Sequence, residues 1–302
     1  MNDVAPAPVV SIVMPLFNAE QWVTDTLSSI RDQRLTEWEL IVVNDGSTDS
    51  GADLVAQFAD SVPQSVVVVD IPNAGPSAAR NEGIARSRGE LVAFVDADDI
   101  WRRDKLRDQV DLLDSDPLAV AAICDYAIQE GIDGSMTAHR HFTWSDQSLQ
   151  AWALMEDISP CLNSTLLVRR AVLHEIGGFR DEMTNVEDLD LAYRLERAGR
   201  VLSTGRKQMI YRMHPFQNHK NRSTIIRDYR VFLSQWTQVS DSSRRRGYAS
   251  ALLLEAAENW KSGHHGSALV CGTRSLREAP LQWARLLAGV RRRARKSRSD
   301  ER

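Results

Sequence analysis

Cysteine is scarce in this chain of 302 residues, and the three cysteines lie far apart in the sequence. Cys124, Cys161 and Cys271 form no CxxC pair, which argues against a disulfide framework or a zinc site and favours a reducing compartment. The net charge of −4 is small, so charge gives no reason to expect nucleic-acid binding. With 43% hydrophobic residues, the chain can build a sizeable core in one large α/β domain plus an appendage, or in two domains.

Long apolar runs and targeting signals are also missing. No run approaches the roughly 20 residues that span a bilayer, and residues 1–6 have neither a basic region nor an apolar core of the secretory kind. We therefore expect a cytoplasmic protein. The phosphate-binding loops GxxxxGK[ST] and GxGxxG do not occur, so any bound phosphates are expected to be held mainly by a metal ion.

The most informative segment is ELVAFVDADD, residues 90–99. Residues 91–95 have the length and composition of a fully buried strand, and the carboxylates of Asp96, Asp98 and Asp99 follow at its end. Crowded carboxylates stay ionised together only beside positive charge, and Mg²⁺ or Mn²⁺ is the simplest candidate, with phosphates as further ligands. The alternative is that Asp98 or Asp99 caps the following helix.

Strand and helix signals alternate through the first half of the chain. This rhythm predicts an α/β fold with a doubly wound, mostly parallel sheet. The predicted strands are 9–16, 40–43, 66–71 and 91–95, and in the less regular second half 120–124, 164–168 and 208–213. We predict a first domain over residues 1–220 and a helical C-terminal region over 221–302.

Polar residues follow three of the predicted parallel strands, and a parallel sheet brings such ends to one edge. At this edge Asp45 is placed to accept hydrogen bonds from a nucleobase, Asp96 from a ribose hydroxyl, and Phe17 to pack on a base. For Asp45 the alternative is a tight turn, which Asp-Gly commonly forms. Asn18 is also predicted to cap a helix, with Gln21 at the capping-box position.

Several short motifs in order closely resemble the family 2 glycosyltransferases of the GT-A fold, over about residues 9–215. They are VSIVMPLFN (10–18), NDGSTD (44–49), NAGPSAARN (73–81), FVDADD (94–99), GGF (177–179) and Glu187-Asp188. One departure is Asn44, where many members of that family have Asp.

The resemblance implies a role for each matching residue. The nucleotide pocket would be lined by Pro15, Phe17, Asn18 and Asp45, with Arg80 near the base and Asp96 on the ribose. Asp98 would bind the metal that bridges the diphosphate, Asp188 would be the general base, and His214 would lie near the metal or diphosphate.

The chemistry agrees with these roles. Inverting glycosyl transfer needs one carboxylate to take the proton of the attacking hydroxyl, and a metal ion stabilises the departing diphosphate. Other interpretations stay open for individual residues. Glu187 and Asp188 could complement a helix dipole, and His214 could be a structural hydrogen-bonding residue.

The C-terminal segment combines an apolar stripe (Trp283, Leu286, Leu287 and Val290) with the basic residues 291–296. Such a helix is typical of peripheral membrane contact, and the alternative is an ordinary core-packing helix with a basic tail.

The sequence therefore predicts a metal-dependent, inverting glycosyltransferase with Mn²⁺ or Mg²⁺ as cofactor. The donor would be a nucleotide-diphosphate sugar and the acceptor hydroxyl would belong to a carbohydrate or lipid-linked molecule, in the synthesis of a cell-surface polysaccharide or glycolipid. The rivals are a sugar nucleotidyltransferase, which would need a glycine-rich loop after the first strand, and a non-catalytic nucleotide-sugar-binding module.

Overall fold

A computed structural model describes residues 7–130, 136–140, 163–183, 185–214, 222–235 and 241–280. The chain divides into two compact units. The first comprises residues 1–149 and 159–217, and the second comprises 150–158 and 218–302. The predicted domain boundary at residue 220 stays a prediction.

The first half of the chain alternates strands and helices, as its sequence pattern predicts. Its elements are β1 (Val10–Leu16), α1 (Val23–Arg31), β2 (Trp38–Asp45), α2 (Gly51–Ala59), β3 (Val66–Ile71), α3 (Pro76–Arg86), β4 (Leu91–Phe94), β5 (Ile100–Trp101) and α4 (Lys105–Ser115). Strand β1 pairs in parallel with both β2 and β4, and β2 pairs in parallel with β3. The carboxyl ends of these four strands therefore lie along one edge of the sheet.

The four parallel strands contribute apolar side chains to the main core. Strands β1, β2 and β4 are almost entirely buried, because their residues are apolar on both faces. Strand β3 is only partly buried, in keeping with its place at the end of the sheet. Helix α1 packs Val23, Leu27 and Ile30 into the same core.

The second half continues the sheet with mixed pairing. Its elements are β6 (Ala119–Glu130), β7 (Met136–Arg140), a 3₁₀ turn (Asn163–Thr165), β8 (Leu167–Arg169), α5 (Arg170–Ile176), α6 (Glu187–Ala198) and β9 (Arg200–Met213). The strand order is β3-β2-β1-β4-β8-β6-β9-β5, with β7 paired to β6. Strand β8 is antiparallel to β4 and β6, whereas β6 and β9 are parallel. The α/β class is confirmed, and the parallel arrangement holds for the four strands that bear most of the predicted site.

Two strand predictions in this half need correction. Residues 164–168 do not form one strand, because 163–165 form the 3₁₀ turn and only 167–169 pair in the sheet. Strand β9 begins at Arg200 rather than at 208, since its polar first half pairs with β6.

The second unit is helical where the structure describes it. It contains α7 (Arg222–Gln235), α8 (Asp241–Lys261) and α9 (His265–Glu278). The Ser275 hydroxyl of α9 donates to the Ala249 carbonyl of α8 at 2.7 Å, and Arg230 of α7 pairs with Glu255 of α8. Within the part of the chain that the structure describes, every helix is too short or too polar to span a bilayer. The predicted amphipathic segment with Trp283 and its basic tail lies outside the described residues.

Candidate active site

The end of β1 is tied to the loop after β2. Asn18 has φ 48°, a left-handed conformation that asparagine tolerates better than most residues. Its side-chain Oδ1 accepts a hydrogen bond from the main-chain amide of Thr48 at 2.8 Å, and its main-chain amide donates to Ser47 Oγ at 3.2 Å. The predicted helix-capping role of Asn18 is therefore wrong, since α1 begins only at Val23 and the Asn18 side chain is used to join two loops.

Two other predicted nucleotide-pocket residues, Pro15 and Phe17, precede Asn18 in the sequence. Pro15 is partly buried within β1, in register with Val43 of β2. Phe17 is 45% exposed, so its ring has an accessible face at the carboxyl edge of the sheet. An accessible aromatic face is compatible with stacking on a planar ligand.

Asp45, at the end of β2, organises the loop that precedes α3. Its side chain is almost completely buried. Its Oδ1 accepts from the Ala74 amide at 2.7 Å and its Oδ2 from the Gly75 amide at 2.9 Å. Each carboxylate oxygen has two acceptor positions, so these bonds leave room for a further donor.

The contacts of Asn44 explain why asparagine suits this position, where many members of the family have aspartate. Its Nδ2 donates to Asp70 Oδ1 of β3 at 2.8 Å, and its Oδ1 accepts from the Ser47 amide at 3.1 Å. An aspartate at position 44 has no side-chain N–H donor, so it would lose the hydrogen bond to Asp70 and place two carboxylates side by side.

Arg80 joins β4 to the start of α6. Its side chain is 4% exposed. Its two terminal nitrogens contact Asp96 Oδ1 at 2.6 Å and Glu187 Oε1 at 3.0 Å, and the guanidinium also lies 5.4 Å from the centre of the Phe179 ring. Burial acts to lower the pKa of Arg80, but the two carboxylates outweigh it and raise the pKa above its ordinary value, so this buried cation stays charged.

The Asp96–Arg80–Glu187 bridge brings two distant parts of the sequence together. Asp96 follows β4, and its side chain is 31% exposed. Glu187 begins α6 and is followed directly by Asp188. The structure therefore places the predicted ribose-binding carboxylate and the predicted base on two elements that one guanidinium connects.

Asp188 lies in the first turn of α6, where its Oδ1 accepts from the adjacent Leu189 amide at 2.7 Å. Burial raises the pKa of Asp188 to about 8, and the negative charge of Glu187 adds to the shift. A carboxyl that titrates near neutrality is well matched to taking a proton from a hydroxyl group.

Asp98 and His214 form a second polar pair at this edge. His214 Nε2 lies 2.9 Å from Asp98 Oδ2. The imidazole stacks on the Trp22 ring with 3.8 Å between centroids and 14° between planes.

The three carboxylates after β4 do not form one cluster, contrary to the reasoning from sequence. Asp96 pairs with Arg80 and Asp98 with His214, whereas Asp99 is fully buried. Within the described residues, no group of three or more His, Cys, Asp or Glu side chains is arranged to hold a metal. The capping alternative also fails, because α4 begins at Lys105, after Asp104.

The Asp98–His214 pair nevertheless suits a divalent cation. A carboxylate oxygen and an imidazole nitrogen converge, and Mn²⁺ accepts both kinds of ligand. Ions of this class commonly take one or two protein ligands and complete their coordination with phosphate oxygens and water.

Some of the residues that support this edge have no local signal in the sequence. Ser164 of the 3₁₀ turn accepts the Asp96 amide hydrogen bond on Oγ at 3.0 Å, and its carbonyl accepts from Trp101 Nε1 at 2.8 Å. Trp22 stacks on His214, and Arg212 donates to the Asp98 carbonyl. All of these contacts join residues that lie far apart in the chain, which no local pattern reveals.

Two curated relatives from Bacillus subtilis (strain 168) match parts of this chain. The putative teichuronic acid biosynthesis glycosyltransferase TuaG is 38% identical over 107 residues, or 35% of this chain and 42% of that protein. The putative glycosyltransferase EpsH is 30% identical over 214 residues, or 68% of this chain and 61% of that protein. The matches thus span less than two thirds of either relative.

A solved structure shares the fold at low sequence identity. The mannosyltransferase PcManGT from Pyrobaculum calidifontis, in complex with GDP-Man and Mn²⁺, has a TM-score of 0.62 and 20% identity, and the match covers 96% of this chain and 81% of that one. The family model described as Glycosyl transferase family 2 matches residues 11–177, more than half of the chain and all four parallel strands except the first residue of β1. The chain therefore belongs to glycosyl transferase family 2 and has a GT-A-type α/β fold.

Proposed function

We propose that this protein is a metal-dependent, inverting glycosyltransferase that moves a sugar from a nucleotide-diphosphate sugar to an acceptor hydroxyl. The observation that carries the proposal is the Asp96–Arg80–Glu187 bridge. It connects the strand end that we propose binds the donor to the helix that bears Asp188.

The donor would occupy the carboxyl edge of the four parallel strands. Phe17 would stack on the base and Asp45 would accept a base N–H, while Pro15 and Asn18 would shape the pocket wall. Asp96 would accept a ribose hydroxyl on Oδ2, since Oδ1 is paired with Arg80. Arg80 is nearly buried, so it would contribute by fixing Asp96 rather than by reaching the base.

Asp98 and His214 would hold the cation. A bound Mn²⁺ or Mg²⁺ supplies charge stabilisation to a departing diphosphate. Support comes from the convergence of Asp98 Oδ2 and His214 Nε2, and from the Mn²⁺ named in the PcManGT complex.

Asp188 would act as the general base. Once ionised, it would accept the proton of the acceptor hydroxyl while that oxygen attacks the anomeric carbon from the face opposite the diphosphate. Its raised pKa makes the ionised carboxylate a stronger base than an ordinary aspartate. Glu187 would hold the start of α6 in place through its ion pair with Arg80.

The acceptor would be a carbohydrate or a lipid-linked sugar of a cell-surface polymer. The name of TuaG, which refers to teichuronic acid biosynthesis, supports this class of product. Peripheral membrane contact through residues 281–302 stays a prediction from the sequence.

The proposal is tested by screening UDP-, GDP- and dTDP-sugars for thermal stabilisation with and without Mn²⁺. A donor that binds the native state raises the melting temperature. Each stabilising donor is then assayed for release of its nucleoside diphosphate, alone and with oligosaccharide acceptors. We expect Mn²⁺-dependent stabilisation and release by the parent protein.

The assay separates the three candidate functions. Stabilisation without release of nucleoside diphosphate, with every acceptor tried, would favour a binding module. Formation of the sugar nucleotide from a sugar phosphate and a nucleoside triphosphate would favour a nucleotidyltransferase. Either result would overturn the proposal.

A further inference from the structure

The end of strand β9 and the residue directly after it carry two side chains that point to the same part of the site. Arg212 and His214 are two positions apart, so an extended chain directs them to one side. His214 meets Asp98 through its imidazole, and the Arg212 Nε donates to the Asp98 main-chain carbonyl. One strand end thus contacts Asp98 at both its side chain and its backbone.

The remaining nitrogens of Arg212 are used on helix α1 and the residue before it. Its Nη2 donates to the Trp22 carbonyl at 2.9 Å and to Thr26 Oγ1 at 3.2 Å, and its Nη1 pairs with Asp25 Oδ2 at 2.9 Å. The Arg212 side chain is 10% exposed whereas that of Asp25 is 67% exposed. An ion pair with so exposed a partner contributes little, so the buried bonds to the backbone are the main function of this guanidinium.

The same group of residues fixes the loop that carries Asp98. The Thr26 hydroxyl donates to the Ala97 carbonyl at 2.8 Å. The next carbonyl along the chain, that of Asp98, accepts from Arg212. The Asp99 amide donates back to the Asp96 carbonyl at 3.0 Å. The carbonyls of residues 96, 97 and 98 therefore all have a donor, which leaves the loop little freedom to move.

Trp22 fixes His214, the second residue of the Asp98–His214 pair. Its carbonyl is held by Arg212, and its indole lies flat against the His214 imidazole. The stack sets the plane of the imidazole and therefore the direction in which Nε2 points.

We propose that Arg212 and Trp22 are positioning residues for the cation site, with Arg212 fixing the backbone of Asp98 and Trp22 fixing the ring of His214. This inference rests on the proposed function, in which Asp98 and His214 hold the metal. Arginine is required because its planar fork serves several acceptors at once, which a lysine ammonium does not reproduce.

The test uses Arg212→Lys, Trp22→Leu and Trp22→Phe in the full chain. The control is Arg206→Lys, on the same strand, where an arginine 68% exposed pairs with Asp108. Mn²⁺ binding is measured by loss of the free-ion EPR signal in the presence of UDP or GDP, and binding of each nucleotide without metal is measured by calorimetry.

We expect Mn²⁺ affinity to fall by about 10- to 100-fold in Arg212→Lys and Trp22→Leu, the usual range when a group that orients a metal ligand is lost. Trp22→Phe should restore most of the affinity because it keeps an aromatic face. Arg206→Lys should match the parent, and metal-free nucleotide affinity should be unchanged throughout.

Two failures are distinguishable. If the parent protein binds no Mn²⁺ with either nucleotide, the proposed metal-dependent function is wrong. If the parent binds Mn²⁺ and the folded Arg212→Lys and Trp22→Leu variants bind it equally well, the positioning roles are wrong. Should Arg212→Lys fail to fold, as judged by circular dichroism, the comparison of Trp22→Leu with Trp22→Phe decides.

Discussion

Replacing Asp188 by asparagine removes the proposed base with little change in shape. The amide oxygen can still accept the Leu189 amide hydrogen bond that Asp188 Oδ1 accepts at 2.7 Å, but it cannot take up a proton. Loss of a positioned general base lowers transfer by about 100- to 10,000-fold. Mn²⁺-dependent donor binding should be retained, because the nucleotide and metal residues are untouched.

The raised pKa of Asp188 adds a second, independent signature. The carboxyl binds its proton up to about pH 8 in the native state, whereas in the unfolded chain it loses the proton near pH 4. Between these values the native state holds more protons, so the free energy of unfolding falls as pH rises, by at most about 1.4 kcal/mol per pH unit. The amide in Asp188→Asn does not titrate, so the stability of the variant relative to the parent should increase steadily from pH 5 to pH 8.

Transfer rate and urea unfolding are therefore measured together from pH 5 to pH 9. The matched control is Glu182→Gln, the same change at a side chain 58% exposed, which should alter neither profile. A folded Asp188→Asn protein that transfers sugar at the parental rate would refute the assignment of the base. A parent and variant with parallel stability profiles would refute the raised pKa.

Three further predictions concern other parts of the chain. Asp98→Ala should abolish the Mn²⁺ dependence of UDP or GDP binding, measured by calorimetry; equal affinity of the parent with and without Mn²⁺ would contradict the metal site. Burial lowers the pKa of Lys105 to about 8, so the unfolded state binds more protons between pH 8 and about 10.5 and stability should rise over that range; urea unfolding of Lys105→Met should lack this rise. Asn44→Asp should lower stability by about 1 kcal/mol at pH 7, since it replaces the bond to Asp70 by repulsion between carboxylates, and a loss as large at pH 3, where carboxylates are protonated, would point to another cause.

The elements with strong local signals could be predicted from the sequence. Strand β3 has the predicted bounds, 66–71. A run of valines bounded by polar residues favours a strand and marks where it begins and ends. Helix α3 begins at Pro76 after Gly75, as its proline at the first turn predicts. The prediction that the polar ends of β1, β2 and β4 share one edge of the sheet is confirmed by the parallel pairing of these strands.

What the sequence did not reveal depends on contacts between distant residues. Ser164 lies in a 3₁₀ turn whose hydroxyl and carbonyl contacts are to Asp96 and Trp101. Asn18 does not cap α1 because Thr48 offers it a partner 30 positions away. The spacing of the carboxylates after β4 predicts crowding, but Asp96 contacts Arg80, Asp98 contacts His214 and Asp99 is buried. Spacing alone does not show in which direction each side chain points.

The burial of Arg80 between Asp96 and Glu187 constrains how such a protein can diversify. A change that shifted α6 to suit a new acceptor would also displace Asp96, the residue proposed to hold the donor ribose. The reason is that the Arg80 guanidinium binds both Asp96 and Glu187. Removing either carboxylate would leave a buried charge short of a partner, which is strongly destabilising. New substrate preferences are therefore expected to arise in the surrounding loops, while these three residues change together or not at all.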